Sequence, residues 1–311
     1  MTPASMADRD GLIWFNGEMV PWREAQVHVL THTLHYGMGV FEGVRAYQTE
    51  LGTGIFRLQD HTDRLFRSAH ILNIEIPYGK DAINAAHCQV VRENKLDEAY
   101  IRPLVFLGSE AMGLRAEHLS VNVMIAAWAW PSYVSPELME KGMKVRTSSY
   151  TRHHVNITMC KAKAVGNYTN SILALREALD SNAEEALLLD PEGYIAEGSG
   201  ENIFVVRDGE VHTPELTSCL DGITRETIIS FLREMGVTVK ERRITRDEVY
   251  VADEAFFTGT AAEVLPIQSL DGRVIGEGHR GPITEKLQQM YFDQVKGRRA
   301  VNTDWITPVA E

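Results

Sequence analysis

Apolar positions recur with two different periods along this chain, and the switches between them mark out its elements. In IWFNGEMV two short apolar runs flank Asn16-Gly17, the strongest local signal for a hairpin. In LQDHTDRLFRSAHIL the period changes, and Leu58, Leu65, Phe66, Ala69 and Leu72 fall on one face of a helix. KDAINAAHCQVVRENKL reads as a second helix, and AYIRPLVFL and SVNVMIAAWAW read as strands rich in β-branched and aromatic residues. PSYVSP then interrupts the pattern with proline and serine, which predicts a smaller domain over residues 1–130, a connecting loop over 131–141 and a larger domain over 142–311.

The second half continues with a strand at MKVRTSS and a helix at TNSILALREALD, where Ile172, Leu175 and Leu179 share a face. Hairpin signals follow at Pro191-Glu192-Gly193 and Asp208-Gly209, then a helix at ITRETIISFLREMG, strands around AFFTGTAAEVLPI and a last helix in PITEKLQQMYFDQV. Hairpins occur in both halves and the alternation of strand and helix is irregular. This predicts an α+β fold rather than a doubly wound parallel sheet.

Composition narrows the function. A chain of 311 residues with 44% hydrophobic and 24% charged residues can bury a substantial core without staples. The net charge of −12 argues against a nucleic-acid binder, which needs a basic footprint, and means that any anionic ligand is held by a few specific groups. Three cysteines, Cys88, Cys160 and Cys219, lack the spacing of a zinc or redox site and suit a reducing cytoplasm. Neither a signal peptide nor a membrane span is expected, since the longest apolar run, Val123 to Trp130, is far too short.

Four segments carry candidate chemistry. KAKAVGNYTNS sets Lys161 and Lys163 before a Gly-Asn-Tyr turn that opens a helix. Either lysine could be a solvated surface residue, or a primary amine held for Schiff-base formation. GYIAEGSGENIFVV resembles a dinucleotide fingerprint only weakly: the third glycine is missing and a strand follows, not a helix. Its small residues would let a cofactor approach the backbone and leave Glu197 to meet a cationic ring nitrogen; a plain turn is the alternative. LDGITRETII places Ile223 and Thr224 at a helix start, where free N–H groups and the dipole suit a phosphate. Capping by Asp221 and Thr224 is the plainer reading. Thr258-Gly259-Thr260-Ala261-Ala262 offers a second nest of N–H groups. His32 and His35, and His153 with His154, lack a third ligand at metal spacing, so no metal is expected. Nothing beside Cys160 marks it as a nucleophile.

Taken together, LHYGMGVFEGVRAY, AYIRPLVF, KAVGNYTNS, YIAEGSGENIF, GITRETII and TGTAAEV stand in the order and spacing of the branched-chain amino acid aminotransferases. The resemblance to these fold-type IV pyridoxal-phosphate enzymes covers nearly the whole chain. It implies two α/β domains with the cofactor at their interface, the lysine and most cofactor contacts lying in the larger one. It also implies that Lys163, not Lys161, bonds pyridoxal 5′-phosphate. Tyr168 would then hydrogen-bond the phenolic oxygen, Glu197 would pair with the ring nitrogen, and Leu220 would support one ring face. The phosphate would sit among Arg64, the N–H groups of Ile223 and Thr224, and the Gly259-Thr260 turn.

The activity so implied is transfer of the amino group of L-leucine, isoleucine or valine to 2-oxoglutarate, giving branched 2-oxo acids and L-glutamate by ping-pong kinetics. By the same resemblance the cofactor would supply an electron-accepting ring, and Lys163 would move the Cα proton. The resemblance lines the side-chain pocket with Tyr36, Phe41, Gly43, Tyr100 and Tyr133, sets Thr260, Ala261 and Ala262 at the α-carboxylate with Tyr100, and gives Arg102 the distal carboxylate of glutamate. A homodimer or larger homo-oligomer follows, because in the family the loop carrying Met112 and Leu114 completes the neighbouring subunit's site. One departure is that Leu114-Arg115 stands where the family often has valine, which bears on substrate range. The alternatives are a fold-type IV enzyme acting on D-amino acids or amines, and a non-catalytic relative that only binds the cofactor.

Overall fold

The computed structural model describes residues 5–115, 118–130 and 135–309. They form two compact units, Met1–Pro131 with Ala162–Gly166 and Val295–Glu311, and Ser132–Lys161 with Asn167–Gln294.

The first unit contains β1 (Leu12–Phe15), β2 (Glu18–Pro21), α1 (His32–Tyr36), β3 (Gly39–Phe41), β4 (Val44–Thr49) and β5 (Gly52–Phe56). After these come α2 (Leu58–Ile71), α3 (Lys80–Glu93), β6 (Ala99–Leu107) and β7 (Val121–Ala129). The β1–β2 hairpin turns at Asn16 and Gly17, with φ of 50° and 100°, the left-handed pair that a tight hairpin needs. The strands make one antiparallel sheet, ordered terminal strand Ile306–Pro308, β5, β4, β6, β7, β1, β2, with β3 also on β6. Leu58, Leu65 and Ala69 of α2 and Ile83, Ala86, Val90 and Val91 of α3 bury against Val44, Ile101, Val123 and Ile125 of the sheet.

Pro103 sits inside β6, where a proline normally costs a ladder bond. It is tolerated because the neighbouring edge is interrupted there: β4 pairs with Ala99, Tyr100 and Ile101, β3 pairs with Leu104, Val105 and Phe106, and the chain between them passes at Glu42 and Gly43. Pro103 has no N–H to give, and its carbonyl accepts the Glu42 N–H at 3.1 Å. The break delivers Glu42 into the interior.

The second unit contains α4 (Pro136–Lys141), β8 (Met143–Thr151), α5 (Tyr168–Asp180), β9 (Glu185–Leu189), β10 (Ile195–Gly198), β11 (Asn202–Arg207) and β12 (Glu210–Thr213). It continues with α6 (Ile223–Glu234), β13 (Val239–Glu241), α7 (Arg246–Tyr250), β14 (Glu254–Gly259), β15 (Glu263–Leu270), β16 (Arg273–Val274) and α8 (Pro282–Val295). Its sheet runs β10, β9, β8, β15, β14, β11, β12, β13, with β16 on β15. The β8–β9, β8–β15 and β12–β13 pairs are parallel and the rest antiparallel, an α+β arrangement.

Three expectations need correction. A single cut of the chain misplaces two segments: residues 162–166 hydrogen-bond to β3 and to α1's end, and Ile306–Pro308 pairs with β5, so both join the first unit. Residues 131–141 are not all loop, since Ser135 caps α4 through Leu138 N–H with Pro136 in its first turn. On α5 the buried face is Ser171, Ala174 and Ala178, while Ile172 and Leu179 are about half exposed at 50% and 54%. Small residues let the helix lie close on β8 and β9, and packing at that distance outranks the apolar pattern. No helix among the described residues is long and apolar enough to cross a membrane.

His87 on α3 is fully buried, bonds the Ile83 carbonyl through Nδ1 at 2.8 Å, and offers Nε2 to no partner among the described residues. Burial pushes its imidazole down to about 4. Between that value and the ordinary 6.5 the unfolded chain takes up a proton that the folded chain refuses, so stability falls as pH falls through this window. The loss expected is about 3 kcal/mol at full protonation. Urea unfolding at pH 7 and pH 4.5 should show a lower midpoint in acid, and His87→Leu should flatten that dependence.

Candidate active site

Lys163 is held by its backbone in the first unit. Its N–H donates to Ser68 Oγ of α2 at 3.0 Å and its carbonyl accepts the Phe41 N–H of β3 at 3.1 Å. Val40 bridges to Ala164, and Gly166 N–H donates to the Gly37 carbonyl at 3.1 Å. The main chain is thus bonded on both sides of Lys163, and its Nζ stands 5.2 Å from the Phe41 ring centre.

One turn along α2 from Ser68, Arg64 donates Nε to Glu42 Oε1 at 2.6 Å and Nη2 to Glu42 Oε2 at 2.8 Å. His61 Nδ1 bonds the same Oε2 at 2.8 Å, and all three side chains are buried. Burial alone would raise the Glu42 carboxyl, but the charge and hydrogen bonds of Arg64 and His61 outweigh it and hold the group well below the usual carboxylate range. For His61 burial wins instead: with the charges of Arg64 and Lys163 it lowers the imidazole against the pull of Glu42. A neutral His61 donating Nδ1–H to a carboxylate is the consistent state.

Four other expected residues meet in the same unit. Arg102 donates Nη2 to Tyr100 Oη at 3.0 Å and lies 4.7 Å over the Phe41 ring. Tyr100 packs on Trp128 and Trp130 at 5.2 Å and 5.1 Å. A Cβ on Gly43 would stand 2.1 Å from Tyr100 Oη, so only glycine leaves that hydroxyl its place. Tyr36, Met112 and Leu114 are exposed, Leu114 at 90%. His32 ties them together: its Nε2–H donates to the Gly113 carbonyl at 2.7 Å and its ring lies 4.5 Å from Tyr36. Tyr133 lies outside the described residues.

In the second unit, Glu197 on β10 accepts the Leu220 N–H on Oε2 at 3.1 Å. Its Oε1 is 2.7 Å from Arg152 Nε, an ion-pair distance, but off the N–H direction, so neither atom makes a hydrogen bond among the described residues. Arg152 is steadied by Asn170 Oδ1 and Ser171 Oγ of α5 at 3.3 Å and 3.2 Å. Lys161 donates Nζ to the Cys219 carbonyl at 3.0 Å, which anchors the loop leading to Leu220. Asn202 Nδ2 holds the Leu220 carbonyl at 2.9 Å.

Helix α6 begins after Gly222, a residue with no side chain to cap it. Ile223 and Thr224 are buried in its first turn. Gly259, Thr260, Ala261 and Ala262 form the β14–β15 turn, and Thr258 Oγ1 beside it is buried without a hydrogen-bond partner among the described residues. Tyr168 opens α5. Burial raises the Cys160 thiol and pushes Cys219 up to about 12, so neither is a thiolate nucleophile.

Each set fits one part of pyridoxal 5′-phosphate: an amine for the aldehyde, a carboxylate with an unsatisfied oxygen for the ring nitrogen, and a helix start at Ile223 and Thr224 for the phosphate. Sequence reasoning missed Glu42, His61, Ser68 and Arg152, and set His32 aside as a metal decoy. Glu42 lay within the motif that contains Phe41 and Gly43. His61, Arg64 and Ser68 share one helical face at offsets of three and four, a readable signal.

The chain matches the family model for class IV amino-transferases over residues 39–270. It is 65% identical over 305 residues to the branched-chain-amino-acid aminotransferase of Pseudomonas aeruginosa, covering 98% of this chain and 99% of that one. Among solved structures it resembles the T.th. branched-chain amino acid aminotransferase complexed with N-(5′-phosphopyridoxyl)-L-glutamate, with TM-score 0.93, 46% identity and coverage of 97% and 99%. The same enzyme complexed with 4-methylvaleric acid matches equally, at TM-score 0.93, 46% identity and coverage of 97% and 99%.

Gly43→Ala should cost about 1–3 kcal/mol through overpacking against Tyr100. A lower urea midpoint with a changed tryptophan emission, reporting Trp128 and Trp130, is the expected result; an unchanged emission would exclude displacement of Tyr100.

Proposed function

Because the chain belongs to the class IV amino-transferase family, we propose that it transfers the amino group of L-branched-chain amino acids to 2-oxoglutarate with pyridoxal 5′-phosphate as cofactor. The observation that carries this is the 65% identity, over 98% of the chain, to an enzyme named for branched-chain amino acids. The complexes of the T.th. enzyme with a phosphopyridoxyl-glutamate and with 4-methylvaleric acid support both halves of the reaction.

When bound, the cofactor supplies an electron-accepting ring. Lys163 Nζ serves as the attachment point and, once displaced, moves the substrate's Cα proton as base and then acid. Lys161 is unsuited to that task because its ammonium is engaged by the Cys219 carbonyl. Glu197 would pair with the ring nitrogen, and Arg152 with the Leu220 N–H holds the Glu197 side chain in place. Tyr168 donates to the phenolic oxygen and Leu220 covers a ring face. Arg64, the N–H groups of Ile223 and Thr224, and the Gly259-Thr260 turn hold the phosphate.

Tyr36, Phe41, Gly43, Tyr100, Met112, Leu114 and Tyr133 shape the apolar pocket, while Thr260, Ala261 and Ala262 take the α-carboxylate with Tyr100. Arg102 receives glutamate's distal carboxylate, whose burial without a cation would be prohibitive. Its place over Phe41 lets one apolar surface serve the leucine side chain and seat the arginine.

A homodimer or larger homo-oligomer is part of the same reading. Val29, Leu34 and Leu114 are exposed at 75%, 65% and 90%, apolar side chains that a second copy of the chain would cover. Three unpaired cysteines support a cytoplasmic setting.

Borohydride reduction of the yellow holoenzyme should fix the label on the peptide of Lys163; a label on Lys161 would overturn the assignment. In a panel with 2-oxoglutarate, L-leucine, L-isoleucine and L-valine should react and D-alanine should not. Light scattering should return at least twice the 34.9 kDa chain mass, in an even multiple of it, and a monomer that turns over would refute the shared site.

A further inference from the structure

A carboxylate with 0% exposure is an expensive thing to place beside a guanidinium. Apolar residues of similar volume would often serve stability as well or better, so the cluster of Glu42, His61 and Arg64 calls for a reason other than stability. Its geometry supplies one. Glu42 takes Arg64 along a single edge, Nε at 2.6 Å and Nη2 at 2.8 Å, and a two-point contact fixes both the position and the plane of a guanidinium. The fork then directs the Nη1 side of Arg64 away from Glu42.

Two further contacts hold Glu42 itself in place. Its N–H is bonded to the Pro103 carbonyl at 3.1 Å, where β6 has its proline. Its Oε2 takes the His61 bond at 2.8 Å, from the same helix as Arg64. Gly43, next in the chain, lies so close to Tyr100 Oη that no Cβ would fit there. The carboxylate stays ionised at any physiological pH because Arg64 and His61 hold it far below the usual range, so the clamp does not loosen with modest acidification. The same stretch of α2 carries Ser68, which holds the Lys163 backbone. A shift of α2 after loss of Glu42 would therefore reach Lys163 as well, and the test must separate the two.

We propose that Glu42 is a positioning residue for anion recognition: it holds the Arg64 guanidinium in the orientation that meets the cofactor's phosphate. The proposal rests on the assignment of Arg64 to that phosphate and goes one residue further. It makes a selective demand, because a ligand without the phosphate should be indifferent to Glu42.

The experiment compares pyridoxal 5′-phosphate with pyridoxal, by absorbance titration of the full chain stripped of cofactor. Arg64→Ala and Glu42→Gln should each weaken the phosphorylated ligand by about tenfold or more, the scale of one lost charge-assisted contact, and leave pyridoxal within about twofold. The double variant should bind no more weakly than Arg64→Ala alone, since both changes remove one interaction. Equal loss of both ligands in Glu42→Gln, or losses that multiply in the double variant, would overturn the positioning role. An unchanged ligand ratio in Arg64→Ala would instead remove the phosphate assignment, and the proposal with it. If Glu42→Gln does not fold by thermal melting, Glu42→Asp, which retracts the carboxylate by one methylene, is judged on the same ratio: a wild-type ratio there overturns the proposal.

Discussion

A lysine that must release and recapture a ligand through its amine has to be held by everything except that amine. In the role proposed for Lys163, the first unit meets this constraint with that residue's main chain, bonded to Ser68 on one side and to Phe41 on the other. Much else follows from those two bonds. They draw residues 162–166 out of the second unit's chain into the first, they require β3 to run beside them, and they set the α2 face of His61, Arg64 and Ser68 against the chain that carries Phe41 and Glu42.

Charge inside each unit is handled by pairing, with different geometries. Glu42 and Arg64 form a two-point contact with every short distance satisfied, which is an orienting device. Glu197 and Arg152 stand at 2.7 Å without a shared hydrogen bond, so the carboxylate retains acceptor capacity. A buried carboxylate fully satisfied by the protein would have nothing to offer a ring nitrogen; one without any cation would not stay ionised.

The backbone exceptions cluster at the same places. Pro103 breaks the regular ladder of β6 where Glu42 enters, Gly43 is demanded by Tyr100, and α6 starts without a side-chain cap. Local rules fail where function takes over a backbone group, as expected when binding and stability compete for the same atoms.

The sequence by itself determined most of the framework. The bounds of β6 and α8 were legible to the residue, as were the hairpin at Asn16-Gly17 and the helix starting at Ile223, because periodicity and turn chemistry are local. The motifs were enough to single out Lys163, Glu197 and Arg64 as candidates for the proposed chemistry. Only the tertiary structure decided which unit Lys163 belongs to, which face α5 buries, that residues 136–141 are helical, and that Lys161 is engaged by the Cys219 carbonyl. It alone disclosed that Arg64 shares its buried surroundings with Glu42, 22 positions away in the chain. These facts depend on contacts between residues far apart in sequence and on how closely small side chains let elements approach, and neither leaves a periodic trace along the chain.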